Sequence, residues 1–383
     1  MKPATASDWL DRTRRHMAAG STDMADQVTR IDTARYVDPV RLAAEESTLF
    51  RRYPVAVSFA SKLAKPGDYV THDLLDLPLL LTRDQGGRLN AFLNVCRHRG
   101  AKLVWERGGC GRRALVCPYH AWTYDMAGAL RGIPHEDGFA GVDRATRGLV
   151  RLPVAEAFGL VFVVPSPGEA YDFDGFLGGI RDDLDSFGLG DHVLYDEREI
   201  GVAANWKVVV EGGLETYHVR HAHRTTIAPM FTDNVIVADR LDPHMRLFFT
   251  KQVAQDLTRS DGTRLSVRDY GNLLYFIFPN LLILVQPDHA TAMIVLPDGT
   301  DACRIHGGAL IPQPAETPKA RAHWDRNVKI FWDALDEDFQ MAQAIQRGFR
   351  SGANSHLTFG RFEQGCGWFH DSMDRALAAE PSA

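Results

Sequence analysis

Residues 205–226 read NWKVVVEGGLETYHVRHAHRTT and crowd Glu215, His218, His221 and His223 into nine residues. At 3.6 residues per turn, Glu215 and His218 share a helix face, and His221 falls only about 60° from His218. On an unbroken helix His223 stands about 140° away from His218. Those two imidazoles can meet at one atom only if the helix ends or bulges between them, a distortion common at functional sites. Clustered imidazoles beside a carboxylate suggest a divalent metal. The competing expectation is a row of histidines fraying off a helix end into solvent.

A third ligand is sought farther along the chain. Over residues 321–349 the apolar positions Trp324, Val328, Phe331, Leu335, Phe339, Ala342, Ile345 and Phe349 follow helical spacing. Asp338 comes seven residues after Phe331 and so lies on the same stripe, whereas Asp336 and Glu337 point elsewhere. A carboxylate on a core-facing stripe is costly unless a cation meets it. That cation is either an arginine, such as Arg347 or Arg350, or a metal. Two histidines and one carboxylate with the opposite face open is the arrangement of mononuclear non-haem Fe(II) oxygenases.

Upstream the texture changes. Short β-rich runs near residues 69–71, 79–82, 89–95, 114–116 and 160–164 alternate with Gly, Pro and Asp, as in a small antiparallel sandwich or barrel. Two of its loops carry ligand-type residues: Cys96 and His98 as C-x-H, then Cys117 and His120 as C-x-x-H, eighteen residues later. Two thiolates and two imidazoles can hold zinc or a [2Fe–2S] cluster of the Rieske type. Structural zinc sites group like ligands, whereas here each loop supplies one of each, which suits a cluster whose two irons differ in ligation.

The segments CRHRGA (96–101) and CPYHAWTYDMAGAL (117–130), followed by NWK…E-x-x-H-x-x-x-x-H and a late Asp on a helix, carry a family resemblance. From about residue 53 onward the chain resembles the catalytic α subunits of Rieske non-haem iron oxygenases, the ring-hydroxylating dioxygenase family. The resemblance implies cluster ligands Cys96, His98, Cys117 and His120, and iron ligands His218, His223 and Asp338. It thereby favours His223 over His221, a choice that spacing leaves open. Glu215 takes the place of the family's bridging carboxylate, which links an iron-bound histidine (here His218) to a cluster histidine (here His120) across a subunit boundary. Many relatives have Asp there; Glu occurs in some, including those that look like carnitine and related quaternary-ammonium monooxygenases. Gly212-Gly213 is a further departure, where relatives often read Asn-Phe. Ala101 and Tyr119 stand where respiratory Rieske proteins carry an extra cysteine pair.

The fold so implied is α+β: a small all-β Rieske domain, then a helix-grip catalytic domain with a curved antiparallel sheet wrapped on the long helix. The boundaries expected are an N-terminal helical segment at 1–45, the Rieske domain at 46–165 and the catalytic domain at 166–383. In the first segment Trp9, Leu10, Thr13 and Met17 are expected on one face, capped by Ser7 or Asp8. The resemblance implies a terminal oxygenase. It would use O2 and electrons from NAD(P)H, through a separate reductase or ferredoxin, to hydroxylate, dihydroxylate or oxidatively demethylate a small aromatic or N-/O-methylated compound. A homotrimer is implied, with or without a β subunit. The alternative is a non-catalytic Rieske-type electron carrier. Phe231, Phe249, Phe278 and Asn280, with Met230, Ile277 and Leu282 beside them, lie on segments expected to flank the iron. Arg97, Arg99, Lys102, Arg107, Arg112 and Arg113 surround the cluster loops, as a solvated surface or as a docking patch for an acidic electron donor.

Composition excludes other classes. With 43 Lys+Arg against 49 Asp+Glu the net charge is −6, unlike a general nucleic-acid binder. No run approaches eighteen apolar residues, so no membrane span is expected, and the charged first thirty residues read as no secretory signal. Five scattered cysteines make no disulfide framework and fit a reducing cytoplasm, with Cys110 expected as a small buried filler.

Overall fold

Seven antiparallel strands form the largest sheet. Their order is Val193–Val202, Cys303–Ile311, Ala290–Pro297, Leu281–Val285, Gly271–Ile277, His244–Lys251 and Phe231–Leu241. The computed structural model describes residues 1–168, 170–259 and 266–379; the last four positions expected in the catalytic domain, with 169 and 260–265, lie outside them. The central strands Gly271–Ile277 and Ala290–Pro297 are buried at every position, so they are covered on both faces. Their near-continuous apolar composition follows from that cover.

The helix Pro318–Arg350 lays Trp324, Val328 and Trp332 against Ala309 and Ile311 of the sheet. Gly307 makes the approach possible, since a Cβ there would sit 3.0 Å from the Trp332 ring. The buried stripe differs at its edges from the sequence expectation. Trp332 and Gln346 are buried, whereas Ile345 is 43% exposed. Trp332 is drawn in because its indole N–H donates to Asp196 at 2.8 Å, and Gln346 because its side-chain oxygen accepts from the Asn205 N–H at 2.9 Å.

Two compact units result, residues 50–176 and residues 1–49 together with 177–383. The amino-terminal stretch joins the second unit through specific contacts. The helix Pro3–Ala19 buries Trp9, whose indole N–H donates to Asp239 at 2.7 Å, beside Arg12 on the same carboxylate at 2.6 Å. It starts earlier than expected, with Pro3 in its first turn in place of a Ser7 or Asp8 cap. Thr29–Asp32 then pairs with His356–Phe359 as a two-stranded sheet.

The 50–176 unit is built from short antiparallel strands in sheets of five, three and three. Its core comprises Tyr69, Leu80, Phe92, Leu115, Trp122, Tyr124 and Met126. Gly128 is demanded twice over: its φ is +83°, and a Cβ would fall 2.5 Å from the Phe92 ring.

In the other unit the helix Trp206–Gly212 is locked by a buried ion pair. Lys207 Nζ lies 2.7 Å from Glu45 Oε2, with both side chains at most 1% exposed. The Trp206 indole donates to the same oxygen at 3.1 Å, and Arg41 Nε to Oε1 at 2.9 Å. Removing one partner of such a pair leaves an unmatched buried charge. Glu45→Ala is expected to lower the unfolding free energy by about 3–5 kcal/mol, read from a urea midpoint at constant slope. A loss below about 1 kcal/mol would show that water already reaches the pair.

Candidate metal centres and substrate cavity

Residues 205–223 form a broken helix. Asn205 caps Trp206–Gly212 by accepting from the Lys207 N–H at 3.0 Å, and the helix stops at the glycine pair. Gly213 is a close-approach residue: a Cβ there would meet Leu282 Cδ2 at 2.4 Å. After a turn, a second helix runs only from Val219 to Ala222, with His218 at its start and His223 just past its end. His221 points outward and is exposed.

Ending the helix at His223 brings the two rings together. Their Nε2 atoms are 3.2 Å apart, and the rings are inclined at 71°. Asp338, from the long helix, places Oδ1 3.0 Å from His223 Nε2 and 3.5 Å from His218 Nε2. Ligands about 2.1 Å from one ion, at right angles, lie about 3.0 Å apart. The three atoms therefore fit one face of a divalent metal. Arg350 pairs with Asp301 instead of Asp338.

Each imidazole is held from behind. The Glu215 carboxylate takes the His218 Nδ1 side and also accepts from the backbone N–H groups of Tyr217 and His218. Glu337 accepts from His223 Nδ1 at 2.7 Å and from the Thr226 hydroxyl at 2.6 Å. Glu337 was expected to point away from the site; one helical position from Asp338, it instead reaches the opposite nitrogen of the same ring. Against desolvation, which lowers them, Glu215 raises the His218 imidazole and Asp338 the His223 imidazole. Against its own desolvation, the bonds from Thr226 and His223 hold the Glu337 carboxyl below its usual range.

A cavity of about 480 Å³ opens beside these three groups. Its walls are mainly apolar and include Phe231, Phe249, Leu282, Leu284, Met293 and Phe331. Phe278 and Asn280 do not line it, and nor does Ile277; this corrects the sequence expectation. Both sit in the turn between Gly271–Ile277 and Leu281–Val285, and are 1% exposed. The cavity uses the other end of those strands, at Asn272, Leu274, Leu284 and Gln286, while Phe276 packs on Phe369. Sequence reasoning missed Lys251, Asn272, His289 and Thr291, which also line the cavity. Alternation along the paired strands was the available signal for Asn272.

In the 50–176 unit the two ligand loops present Cys96 and Cys117, each 2% exposed. Loop geometry is fixed by backbone bonds, from the Cys96 N–H to Ala101 O at 2.8 Å and from the Ala121 N–H to Cys117 O at 2.9 Å. The His98 and His120 rings stand 4.7 Å apart, and His98 stacks on Trp122 at 4.9 Å. The Tyr124 hydroxyl lies 3.4 Å from Cys96 Sγ, and accepts from the Arg97 N–H at 2.9 Å. Burial pushes the Cys96 thiol up, with Tyr124 pulling the other way. His98 Nδ1 is buried with no partner among the described residues, as expected of a metal-ligating atom. Two buried thiols and two facing imidazoles fit a [2Fe–2S] group. Cys110 is exposed, contrary to its expected burial, because it follows a short edge strand. The basic patch is partly neutralised, Lys102 by Asp73 at 2.9 Å and Arg112 by Glu106 at 2.8 Å.

Among the described residues no helix is long and apolar enough to cross a membrane. Residues 53–151 match the family described as "Rieske [2Fe-2S] domain", and residues 182–379 the family described as "Ring hydroxylating alpha subunit (catalytic domain)". The glycine betaine monooxygenase oxygenase subunit of Chromohalobacter salexigens is 29% identical, over 90% of this chain and 86% of that protein. The carnitine monooxygenase oxygenase subunit of Acinetobacter pittii is 28% identical, over 80% and 81%. In fold the chain is like a quaternary ammonium Rieske monooxygenase solved with L-carnitine. That likeness has a TM-score of 0.77 at 23% identity, covering 92% of this chain and 96% of the other. Two metal-type sites, one in each matched region, exclude a mere electron carrier: the chain belongs to the ring-hydroxylating oxygenase α-subunit family and is the catalytic, terminal subunit of a Rieske oxygenase, with a [2Fe–2S] cluster and a mononuclear iron.

Proposed function

We propose that His218, His223 and Asp338 hold the mononuclear iron, that Cys96, His98, Cys117 and His120 hold the cluster, and that the substrate is a small quaternary-ammonium compound. The convergence of two Nε2 atoms and one carboxylate oxygen at the wall of an apolar cavity carries this reading. When bound, the cluster supplies electrons singly and the iron supplies the centre at which dioxygen is activated.

The chain's own groups do the rest. Glu215 and Glu337 each keep a proton on Nδ1 of their histidine, which leaves Nε2 free as the ligand atom. The walls are mainly apolar, and Phe231, Phe249 and Phe331 line them, a ring type that attracts a methylated ammonium. The overall change on substrate is C–H + O2 + 2e⁻ + 2H⁺ → C–OH + H2O. If that carbon is bonded to the ammonium nitrogen, the C–N bond then breaks to give an amine, a carbonyl compound and a proton. The names of the glycine betaine and carnitine relatives support this choice. The three phenyl rings favour one second reading, dihydroxylation of an arene that stacks on them. The anthranilate 1,2-dioxygenase large subunit of Acinetobacter baylyi is a relative in keeping with it.

Glu215 is further proposed as the bridge from His218 toward His120 of a neighbouring subunit, in a head-to-tail homotrimer. It also lines a second cavity, of about 310 Å³, as a group with two faces would. Five free cysteines support a cytoplasmic setting. The electrons would come from NAD(P)H through the reductase.

Oxygen uptake and product analysis with a surrogate flavin reductase test the substrate. An aldehyde and a freed amine should form from trimethylammonium compounds; a cis-diol from an aromatic acid would replace this reading with the second. Glu215→Gln should keep both metals yet lose at least about tenfold in coupled turnover, and full activity in it would refute the bridge. Glu337→Ala should weaken Fe(II) binding at the histidines about 10–100-fold in anaerobic titrations. Glu337→Gln, which can still accept from Nδ1, should restore most of it; unchanged affinity in the alanine variant would remove Glu337 from the site.

A further inference from the structure

The second cavity, of about 310 Å³, is bordered by the helix Trp206–Gly212 and the long helix Pro318–Arg350. Val208 and Val209 line it from the first helix, Phe339 and Ala342 from the second. Its walls are mainly apolar, and the carboxylates at its edge are already engaged. Glu211 accepts from the Tyr36 hydroxyl at 2.7 Å and lies 2.8 Å from His370 Nε2. Glu363 accepts from the Gly360 N–H at 2.5 Å, and Glu215 and Asp338 face the histidines. Apolar cavities, even smaller ones, stay dry and take up apolar ligands such as xenon.

This cavity meets the larger one beside the metal-type site. Both are lined by Gly212, Met293 and Leu335, and by Glu215, His218 and Asp338; His223 lines the larger one but not the second. Gly212 is the unexplained residue in that shared wall. It is helical, and a Cβ built on it would meet nothing within 4 Å. Glycine weakens a helix relative to alanine, so one that neither conformation nor packing requires is a cost with no local compensation. Its missing side chain leaves free space between the two cavities.

We propose that the second cavity is a dioxygen-binding chamber, and that Gly212 keeps open the passage from it to the His218 and Asp338 side of the site. Substrate and dioxygen must reach the same centre, and a substrate seated in the larger cavity obstructs a second molecule entering there. Dioxygen is apolar and passes favourably from water into an apolar enclosure. The inference rests on the proposed iron site and adds the route by which its gaseous co-substrate arrives.

Xenon under pressure tests the chamber without turnover. The crystals should contain the assembled, metal-loaded enzyme, because the proposed neighbouring subunit approaches Glu215 on this side. Xenon is expected in the second cavity of the wild-type chain. A cavity that holds only ordered water, or that the neighbouring subunit fills, overturns the inference. Ala342→Leu should lower the xenon occupancy and raise the KM for O2 at least about threefold. Gly212→Ala, which favours the helix, should keep xenon in the cavity yet raise the KM for O2 by a similar factor. In both variants anaerobic substrate affinity should stay within about twofold of wild type. A KM for O2 unchanged in either folded variant, or a matching loss of substrate affinity, overturns the inference. Xenon is read with or without iron, so the two failures separate. Absence of iron at the histidines removes the oxygenase reading, whereas a chamber without xenon removes only this route.

Discussion

Three electron-rich atoms, His218 Nε2, His223 Nε2 and Asp338 Oδ1, are held 3.0–3.5 Å apart. Two lone pairs and a carboxylate at that spacing are compatible only with positive charge among them. Against desolvation, which lowers them, both imidazoles are raised by carboxylates, His218 chiefly by Glu215 and His223 chiefly by Asp338. A divalent ion supplies the positive charge and satisfies all three atoms at once. Much of the surrounding architecture serves that constraint: the helix that stops at Gly212, the short turn of helix between the histidines, and the buried Glu45–Lys207 pair.

Two carboxylates behind the imidazoles make the arrangement directional. Glu215 and Glu337 occupy the Nδ1 sides, so the Nε2 atoms face Asp338. Neither histidine is free to turn, and the cavity wall is otherwise mostly apolar. A reaction that activates dioxygen needs both properties: a metal with open positions, and a compartment that keeps water from competing.

The sequence carried the chemistry better than the walls. Short ligand spacings such as C-x-H and E-x-x-H are local, and Asp338 stood out as a charge on an apolar stripe. The place where the helix must break was predictable from the 140° between His218 and His223, and two glycines supply the first break. Glu337 was missed because one residue turns a helix by about 100°, and a glutamate is long enough to reach back around that angle. Phe278 and Asn280 were misplaced because a strand pattern gives a face but not how far along the sheet a cavity extends. The return of Trp9 to Asp239, across more than two hundred residues, has no local signature at all.

The account stands or falls on two separate iron centres in one polypeptide. The direct measurement is the iron-to-chain ratio of protein reconstituted anaerobically, for the wild-type chain and for Asp338→Ala. About three irons per chain are predicted for the first and about two for the second, with the paramagnetic signature of the histidine-ligated pair unchanged. A wild-type ratio of about two, or an Asp338→Ala protein that keeps its third iron, would contradict the account.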